Sequence, residues 1–235
     1  GRPDLFLAVG GNNSANALYH NLGGGKFERV LSGFFDQFPG SYTCCAWGDY
    51  DNDGYLDLVV ARRGAGGNLL FLNQRDGTFT LDATSPVVTD SLNANGCAWA
   101  DVDNDGFLDL IITSWQGTPN ALYYNRGDGT FSRSTLGTVG SDPGECIGAA
   151  WGDYDQDGFP DLYLANYGGA NLLYHNQGNA NHWLRIRPVG DTSNRSAIGA
   201  RIRLKAVIGG NARWQLREIH GAQGWGDQGL DTLFG

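Results

Sequence analysis

The chain contains no methionine and only four cysteines among its 235 residues. With no Met at position 1, the sequence reads as a processed product or an excised segment whose targeting sequence lies outside it. Four cysteines, Cys44, Cys45, Cys97 and Cys146, are too few for a disulfide-scaffolded mini-domain, and no CxxC or Cys/His spacing suggests zinc. No uncharged apolar run approaches about 18 residues, which excludes a membrane-spanning helix. HExxH and GxSxG motifs are absent, the four histidines are scattered, and no nucleophile–base pair stands out. The sequence is therefore read as non-enzymatic. Helical apolar stripes are missing too, so an all-β chain is expected.

What is abundant is glycine, 37 of 235, with aromatics at 12%. The first predicts many tight turns and the second argues against disorder. Charged residues reach only 17%, yet their distribution is uneven. Residues 1–180 hold 21 acids and 8 bases, a net of −13, whereas 181–235 hold 4 acids and 8 bases, a net of +4. Twelve of the acids in 1–180 sit in three short loops, which points to bound cations rather than a general anionic surface. Phosphate binding needs a basic field, so no nucleic-acid partner is expected for this part.

Those loops belong to a repeat. WGDYDNDGYLD (47–57), WADVDNDGFLD (99–109) and WGDYDQDGFPD (151–161) align without gaps, and Trp47, Trp99 and Trp151 are each 52 residues apart. A second marker follows each: NLLFLN at 68–73, NALYYN at 120–125 and NLLYHN at 171–176. DGTF follows at 76–79 and 128–131. The start, GRPDLFLAV then NALYHN at 16–21 and GGGKF at 23–27, matches a repeat entered after its aspartate loop, with Asp4 equivalent to Asp57. Either upstream chain or another molecule is expected to complete this unit. Leu56, Leu58 and Val60 alternate along one strand, and the unit totals four short strands, the arithmetic of a β-propeller blade. The expected architecture is three four-stranded blades (about 44–82, 96–134 and 148–178) with a partial one (1–31). After a boundary near 178–181 a C-terminal β domain follows over 181–235. There Arg201, Arg203 and Lys205 alternate with Ile202, Leu204 and Ala206, and Gly209-Gly210-Asn211 supplies a turn into a strand over 213–220.

In each loop the first, third, fifth and ninth positions are carboxylates: Asp49, Asp51, Asp53 and Asp57; Asp101, Asp103, Asp105 and Asp109; Asp153, Asp155, Asp157 and Asp161. The backbone carbonyls of Tyr55, Phe107 and Phe159 fall at the seventh position. Calcium takes six to eight oxygens at about 2.3–2.6 Å, and alternate residues of a curled loop can aim at one point. Asp, Asn and Gly are also plain turn formers. Three copies in register, each with four mutually repelling carboxylates, favour a cation nonetheless. Magnesium gives up its waters reluctantly, so about three calcium ions in a structural role are expected. Val60, Ile112 and Leu164 stand where an EF-hand would carry Glu, so the loops join strands instead.

DYDNDGYLDLVVA, DVDNDGFLDLIIT and DYDQDGFPDLYLA resemble the calcium loops of the FG-GAP/VCBS repeat family, found in integrin α heads and bacterial surface proteins. The tail, NHWLRIRPVG, NRSAIGARIRL, REIHGAQGW and LFG, is similar to the ASPIC/UnbV domain, which follows such repeats in bacterial secreted proteins and cartilage acidic proteins. The resemblance implies calcium at the three aspartate sets and nothing catalytic. Family propellers close with more blades than the three and a half recognisable here, and the family tail continues beyond Gly235.

The remaining candidates have simpler accounts. Cys45 and Cys97 share a repeat position that Ala149 fills in the third copy, which suits a buried small residue; a disulfide in an oxidising location stays open, with three possible pairings. His20 and His175 share another position and are read as packing. The repeated tryptophans are read as blade core, while Trp115 and Trp225 could contact a ligand. The Arg201, Arg203, Lys205 face is read as solvated or docked on an acidic neighbour. Asn12-Asn13-Ser14 and Asn194-Arg195-Ser196 are glycosylation sequons. Together these features predict a calcium-stabilised extracellular or cell-surface module for adhesion or structure. Its unpaired ends are expected to be covered by neighbouring copies in an oligomer or filament. A glycan-binding module and the accessory region of a larger secreted enzyme are the competing readings.

Overall fold

Alternating apolar residues can serve two cores only if both faces of a sheet are covered, and that is how the repeats fold. The computed structural model describes residues 2–11, 15–31, 34–64, 66–134, 139–141, 145–192, 194–220, 226–227 and 231–235. Gly1, the Asn12 sequon and Trp225 lie outside the described residues. The first unit is a three-stranded sheet of β1 (Leu5–Leu7), β2 (Ala17–Gly23) and β3 (Lys26–Arg29). Four-stranded antiparallel sheets follow: β4 (Tyr42–Gly48), β5 (Asp57–Arg62), β6 (Leu69–Asn73) and β7 (Phe79–Leu81), then β8 (Ala94–Ala100), β9 (Asp109–Ser114), β10 (Ala121–Asn125) and β11 (Phe131–Arg133). One short helix, α1 (Pro86–Thr89), links them, its start capped by the Ser85 hydroxyl accepting from Val87 N–H. The third blade contains β12 (Cys146–Gly152), β13 (Asp161–Asn166) and β14 (Leu172–Tyr174).

Register repeats with the sequence. Trp47 pairs with Leu58, Trp99 with Leu110 and Trp151 with Leu162, and each pair of strands carries a bulge at its far end. Leu58 and Val60 enter the core shared with the first sheet, beside Phe6, Phe35 and Phe71, while Val59 and Ala61 enter the core shared with the second blade. Leu110 and Ile112 face back into that same core, and Ile111 faces forward to meet Trp151, Leu162 and Leu164. Trp99 and Trp151 are core residues that also stitch blades, Trp99 Nε1 donating to Ala46 O and Trp151 Nε1 to Ala98 O, both at 3.3 Å, while Trp47 is half-buried against the core shared with the first sheet. The all-β, propeller-like blade architecture expected from the sequence is thus the observed one.

After residue 181 come β15 (Leu184–Ile186), the eight-residue hairpin strands β16 (Arg201–Ile208) and β17 (Asn211–Glu218), β18 (Gly226–Asp227) and β19 (Thr232–Phe234). The hairpin turn is Gly209–Gly210 alone, both at positive φ, and Asn211 already pairs with Ile208. β15 pairs with β19, and β18 runs parallel to β12 at Ala149 and Ala150. The third blade therefore takes its fourth strand from the C-terminal segment, beside its innermost strand, rather than from a DGTF strand.

Candidate metal centre

Each aspartate loop leaves the innermost strand, turns twice through left-handed backbone and re-enters the sheet. The fourth position has positive φ at Asn52, Asn104 and Gln156, and the sixth is Gly54, Gly106 or Gly158 with φ of 91°, 87° and 91°. A side chain at the sixth position would strain that conformation. The first-position carboxylate gathers the turn: Asp49 accepts from Asp53 N–H and Gly54 N–H, each at 3.0 Å, and Asp101 from Asp105 N–H and Gly106 N–H, each at 3.0 Å. In the third loop Asp153 accepts from Gly158 N–H at 3.1 Å. The fifth-position carboxylates Asp53, Asp105 and Asp157 accept from the amides of Tyr55, Phe107 and Phe159, which fixes the backbone at the seventh position.

These bonds leave carboxylate oxygens of the first, third and fifth positions clustered. Within Asp49, Asp51 and Asp53 one oxygen from each lies within 4.8 Å of the others, and the same holds for Asp101, Asp103 and Asp105 and for Asp153, Asp155 and Asp157. The ninth aspartate stands beside the trio with both oxygens engaged. Asp57 accepts from Tyr50 N–H and Asn73 N–H, Asp109 from Val102 N–H and Asn125 N–H, and Asp161 from Tyr154 N–H and Asn176 N–H. It thus pins the loop to the third strand of its blade.

Burial is the leading influence on seven carboxyls of the first two loops. It pushes Asp49 and Asp101 up to about 7, Asp57 to about 9 and Asp105 to about 6, and Asp51, Asp103 and Asp109 also rise. Neighbouring carboxylates add to the rise at Asp49, where Asp51 and Asp53 stand close. Asp103 Oδ1 and Asp153 Oδ1 are buried with no hydrogen-bond partner among the described residues. An all-oxygen, anionic donor set, buried or half-buried in the first two loops and more exposed at Asp155 and Asp157 in the third, fits a hard divalent cation of calcium's size. Asp49, Asp51 and Asp53 and their equivalents would supply the side-chain ligands, with the ninth aspartate at their edge.

Two features were not anticipated, and a third was anticipated only as one of two readings of the basic face. First, the asparagines closing the second marker are structural ties: Asn125 Nδ2 donates to Leu108 O and to Tyr50 O of the previous loop, and Asn176 Nδ2 to Pro160 O and Val102 O. Their recurrence at 73, 125 and 176 was the available signal. Adjacent loops are joined again by Asn52 donating to Gly106 O and Asn104 to Gly158 O. Second, His175 is more than packing, with Nδ1 3.2 Å from Asp161 and 3.4 Å from Asp155; His20 repeats this 3.0 Å from Asp4. Third, the basic C-terminal segment seats on the loops. Arg185 bonds Asp153, Arg217 lies 3.6 Å from Asp101 with both side chains buried, and Arg203 donates to Gly54 O at 3.2 Å. Gly235 N–H also donates to Asp101. Of the basic face, Arg203 is docked, while Arg201 pairs with Glu218 at 2.7 Å.

Trp115 is bracketed by Tyr167, 5.3 Å between ring centroids, and by the Arg63 guanidinium. Asn194, of the second sequon, closes a turn on Ile198 through both side-chain groups.

Comparison with known proteins agrees with the repeat. Mouse (Mus musculus) cartilage acidic protein 1 is 26% identical over 189 residues, covering 75% of this chain. The chain spans only 29% of the length of that relative. A solved structure concerning specific recognition of non-reducing terminal N-acetylglucosamine by an Agrocybe aegerita lectin shares 16% identity. It aligns with a TM-score of 0.43 over 92% of this chain and 66% of that one. The model of the FG-GAP-like repeat matches residues 1–60, 49–112 and 101–164, successive segments whose ends step by the 52-residue period. Those three matches span most of the chain, which belongs to the FG-GAP-like repeat family.

Proposed function

We propose that the protein is a calcium-stabilised, non-catalytic adhesion or structural module of the extracellular space or cell surface. The observation that carries this reading is the threefold recurrence of one folded loop with three carboxylate oxygens inside 4.8 Å. Family membership and a relative named for cartilage support an extracellular setting. When bound, calcium supplies the charge that lets the buried carboxylates ionise together. The chain's own residues do the rest: backbone amides aim the carboxylates, the ninth aspartates tie loop to blade, and Arg185 and Arg217 balance charge left at Asp153 and Asp101.

The C-terminal segment is read as an ASPIC/UnbV-like domain, on its tail motifs, and as a cap on the loops. Calorimetric titration of chelator-stripped protein with calcium tests the central reading. Binding of about three ions with a rise in melting temperature is expected; no heat and an unchanged melting curve would sink it. A glycan array separates the glycan-binding alternative.

Self-association is part of this reading, supported by apolar residues left exposed on the outer sheets. Leu5 and Leu7 of the first sheet are each 42% exposed, and Tyr163 and Leu173 of the last blade are 42% and 57% exposed. In the interior of the stack the equivalent faces are covered by the next sheet. In this reading a second copy places its first sheet against the last blade, a head-to-tail contact.

A further inference from the structure

Innermost strands of neighbouring blades approach closely, and their facing positions are small. Between the second and third blades a Cβ on Gly96 would lie 3.2 Å from Gly148 Cα, and Ala149 follows in the same strand. One repeat earlier, 52 residues before Gly96 and Ala149, stand Cys44 and Cys97. Their sulfurs are 3.3 Å apart across the junction of β4 and β8, and Cys44 Sγ lies 3.7 Å from Cys97 O. Both residues are buried, at 2% and 0% exposure. The other two thiols point elsewhere. Cys45 Sγ faces Phe6 O at 3.9 Å, and Cys146 Sγ lies between Asn166 Oδ1 at 2.9 Å and Asn120 Nδ2 at 3.2 Å.

Of the six single links open to four cysteines, the geometry points to Cys44–Cys97 as the disulfide this chain forms in an oxidising compartment, a staple between its first two complete blades, with Cys45 and Cys146 remaining thiols. A disulfide needs a sulfur separation of about 2.05 Å, so the two sulfurs must close by roughly 1.3 Å, a displacement shared between two side chains. The oxidant is a disulfide, such as the small-molecule disulfide of a secretory compartment. One cysteine thiolate attacks it, forming a mixed disulfide and releasing one oxidant thiol. The second cysteine, as its thiolate, then displaces the other half. Two cysteine S–H bonds and the oxidant's S–S bond are exchanged for the Cys44–Cys97 bond and two oxidant S–H groups. Because neither sulfur is exposed in the finished stack, the exchange belongs to the stage at which β8 docks on β4. The link closes a loop between residues 53 apart in sequence. By the loop-closure estimate it raises the melting temperature by roughly 5–15 °C over the dithiol form.

The test does not depend on where the protein resides, because the oxidant is supplied, and calcium is kept in the refolding buffer so that a failed link is not mistaken for a failed fold. Full-length protein is refolded in a reduced/oxidised glutathione buffer, denatured, blocked with N-ethylmaleimide and weighed intact. Two adducts are expected, rising to four after reduction, with a cross-linked peptide pair containing Cys44 and Cys97. Cys45→Ala should keep the link; Cys44→Ala should lose it. Cys97→Ala, which installs the residue found at position 149, provides a second link-free variant if Cys44→Ala misfolds. Four adducts on the unreduced wild-type protein, or a link through Cys45 or Cys146, would overturn the assignment.

Discussion

At the scale of single residues, the aspartates of one loop are chemically alike but mechanically different. Asp57 is wholly buried and accepts from two backbone amides, Tyr50 at 3.3 Å and Asn73 at 2.9 Å. Replacing it with alanine orphans both donors, each costing about 1–3 kcal/mol. Asp51 accepts the Asp53 amide at 3.1 Å, but Asp49 shares that donor at 3.0 Å, and asparagine would keep an acceptor there. Asp57→Ala should therefore destabilise the protein by about 2–5 kcal/mol even in chelator, whereas Asp51→Asn should lower stability only when calcium is present. Urea melts with calcium and with EDTA distinguish the two. The pH response has a definite sign as well. Burial raises Asp49 to about 7 and Asp57 to about 9 in the folded chain, against about 3.9 in an unfolded one. Without metal, the folded state holds the extra protons, so this stability is complete below about pH 3.9 and is lost as pH climbs through 7 and 9. Calcium must displace those protons, so its stabilising effect grows with pH. Melting curves in EDTA should fall between pH 5 and pH 8, while the gap opened by calcium widens; a flat EDTA series would contradict the burial of these carboxylates.

At the scale of elements, periodicity was legible and long-range docking was not. The 52-residue spacing and alternations such as Leu58, Val59 and Val60 encode strands and faces locally, because a strand's side chains must alternate between two cores. The loops were equally plain, since oxygen-rich residues at alternate positions and a glycine at the sixth are local demands. Nothing local announces that Arg217 reaches Asp101 or that Cys44 meets Cys97, for those contacts depend on how separate sheets stack. The pairing of Gly226 and Asp227 with β12 was hidden for the same reason. The sixth-position glycines show both kinds of demand at once. Their φ requires glycine, and the C-terminal segment also needs the space: a Cβ on Gly158 would collide with the Trp183 indole, and one on Gly106 with Ile208. Gly158→Ala should thus cost more than the roughly 1 kcal/mol usual for glycine in left-handed backbone. It should also speed hydrogen exchange in β15 and β19. Faster exchange confined to the loop itself would show that the segment does not rest there.

At the scale of the whole molecule, the charge partition becomes a structural force. The repeats carry −13 and the C-terminal segment +4, and Arg185, Arg203 and Arg217 bring part of that positive charge directly onto the loops. The buried Arg217–Asp101 pair holds the two parts together in a place where either charge alone would be expensive. Arg217→Leu should strand Asp101 among its fellow carboxylates and cost about 3–5 kcal/mol. Adding Asp101→Asn should recover part of that loss, a coupling that a double-mutant cycle would read.

The same scale decides how the stack ends. Each interior sheet buries apolar residues on both faces, whereas among the described residues Tyr163 and Leu173 on the outward face of the last blade stay 42% and 57% exposed. Exposed apolar sheet faces drive association in proportion to the area they can bury. In the proposed self-association, a contact between the face carrying Leu5 and Leu7 and the last blade would repeat from copy to copy instead of closing on itself as a two-fold dimer would. Sedimentation velocity across a concentration series should then show a ladder of species rather than a single dimer. Leu173→Arg should collapse the ladder to monomer while leaving the melting temperature within about a degree, since a surface substitution shifts stability by about 0.5 kcal/mol or less. A wild-type monomer at every concentration would mean that this face has another partner, and a ladder that survives Leu173→Arg would place the contact elsewhere on the stack.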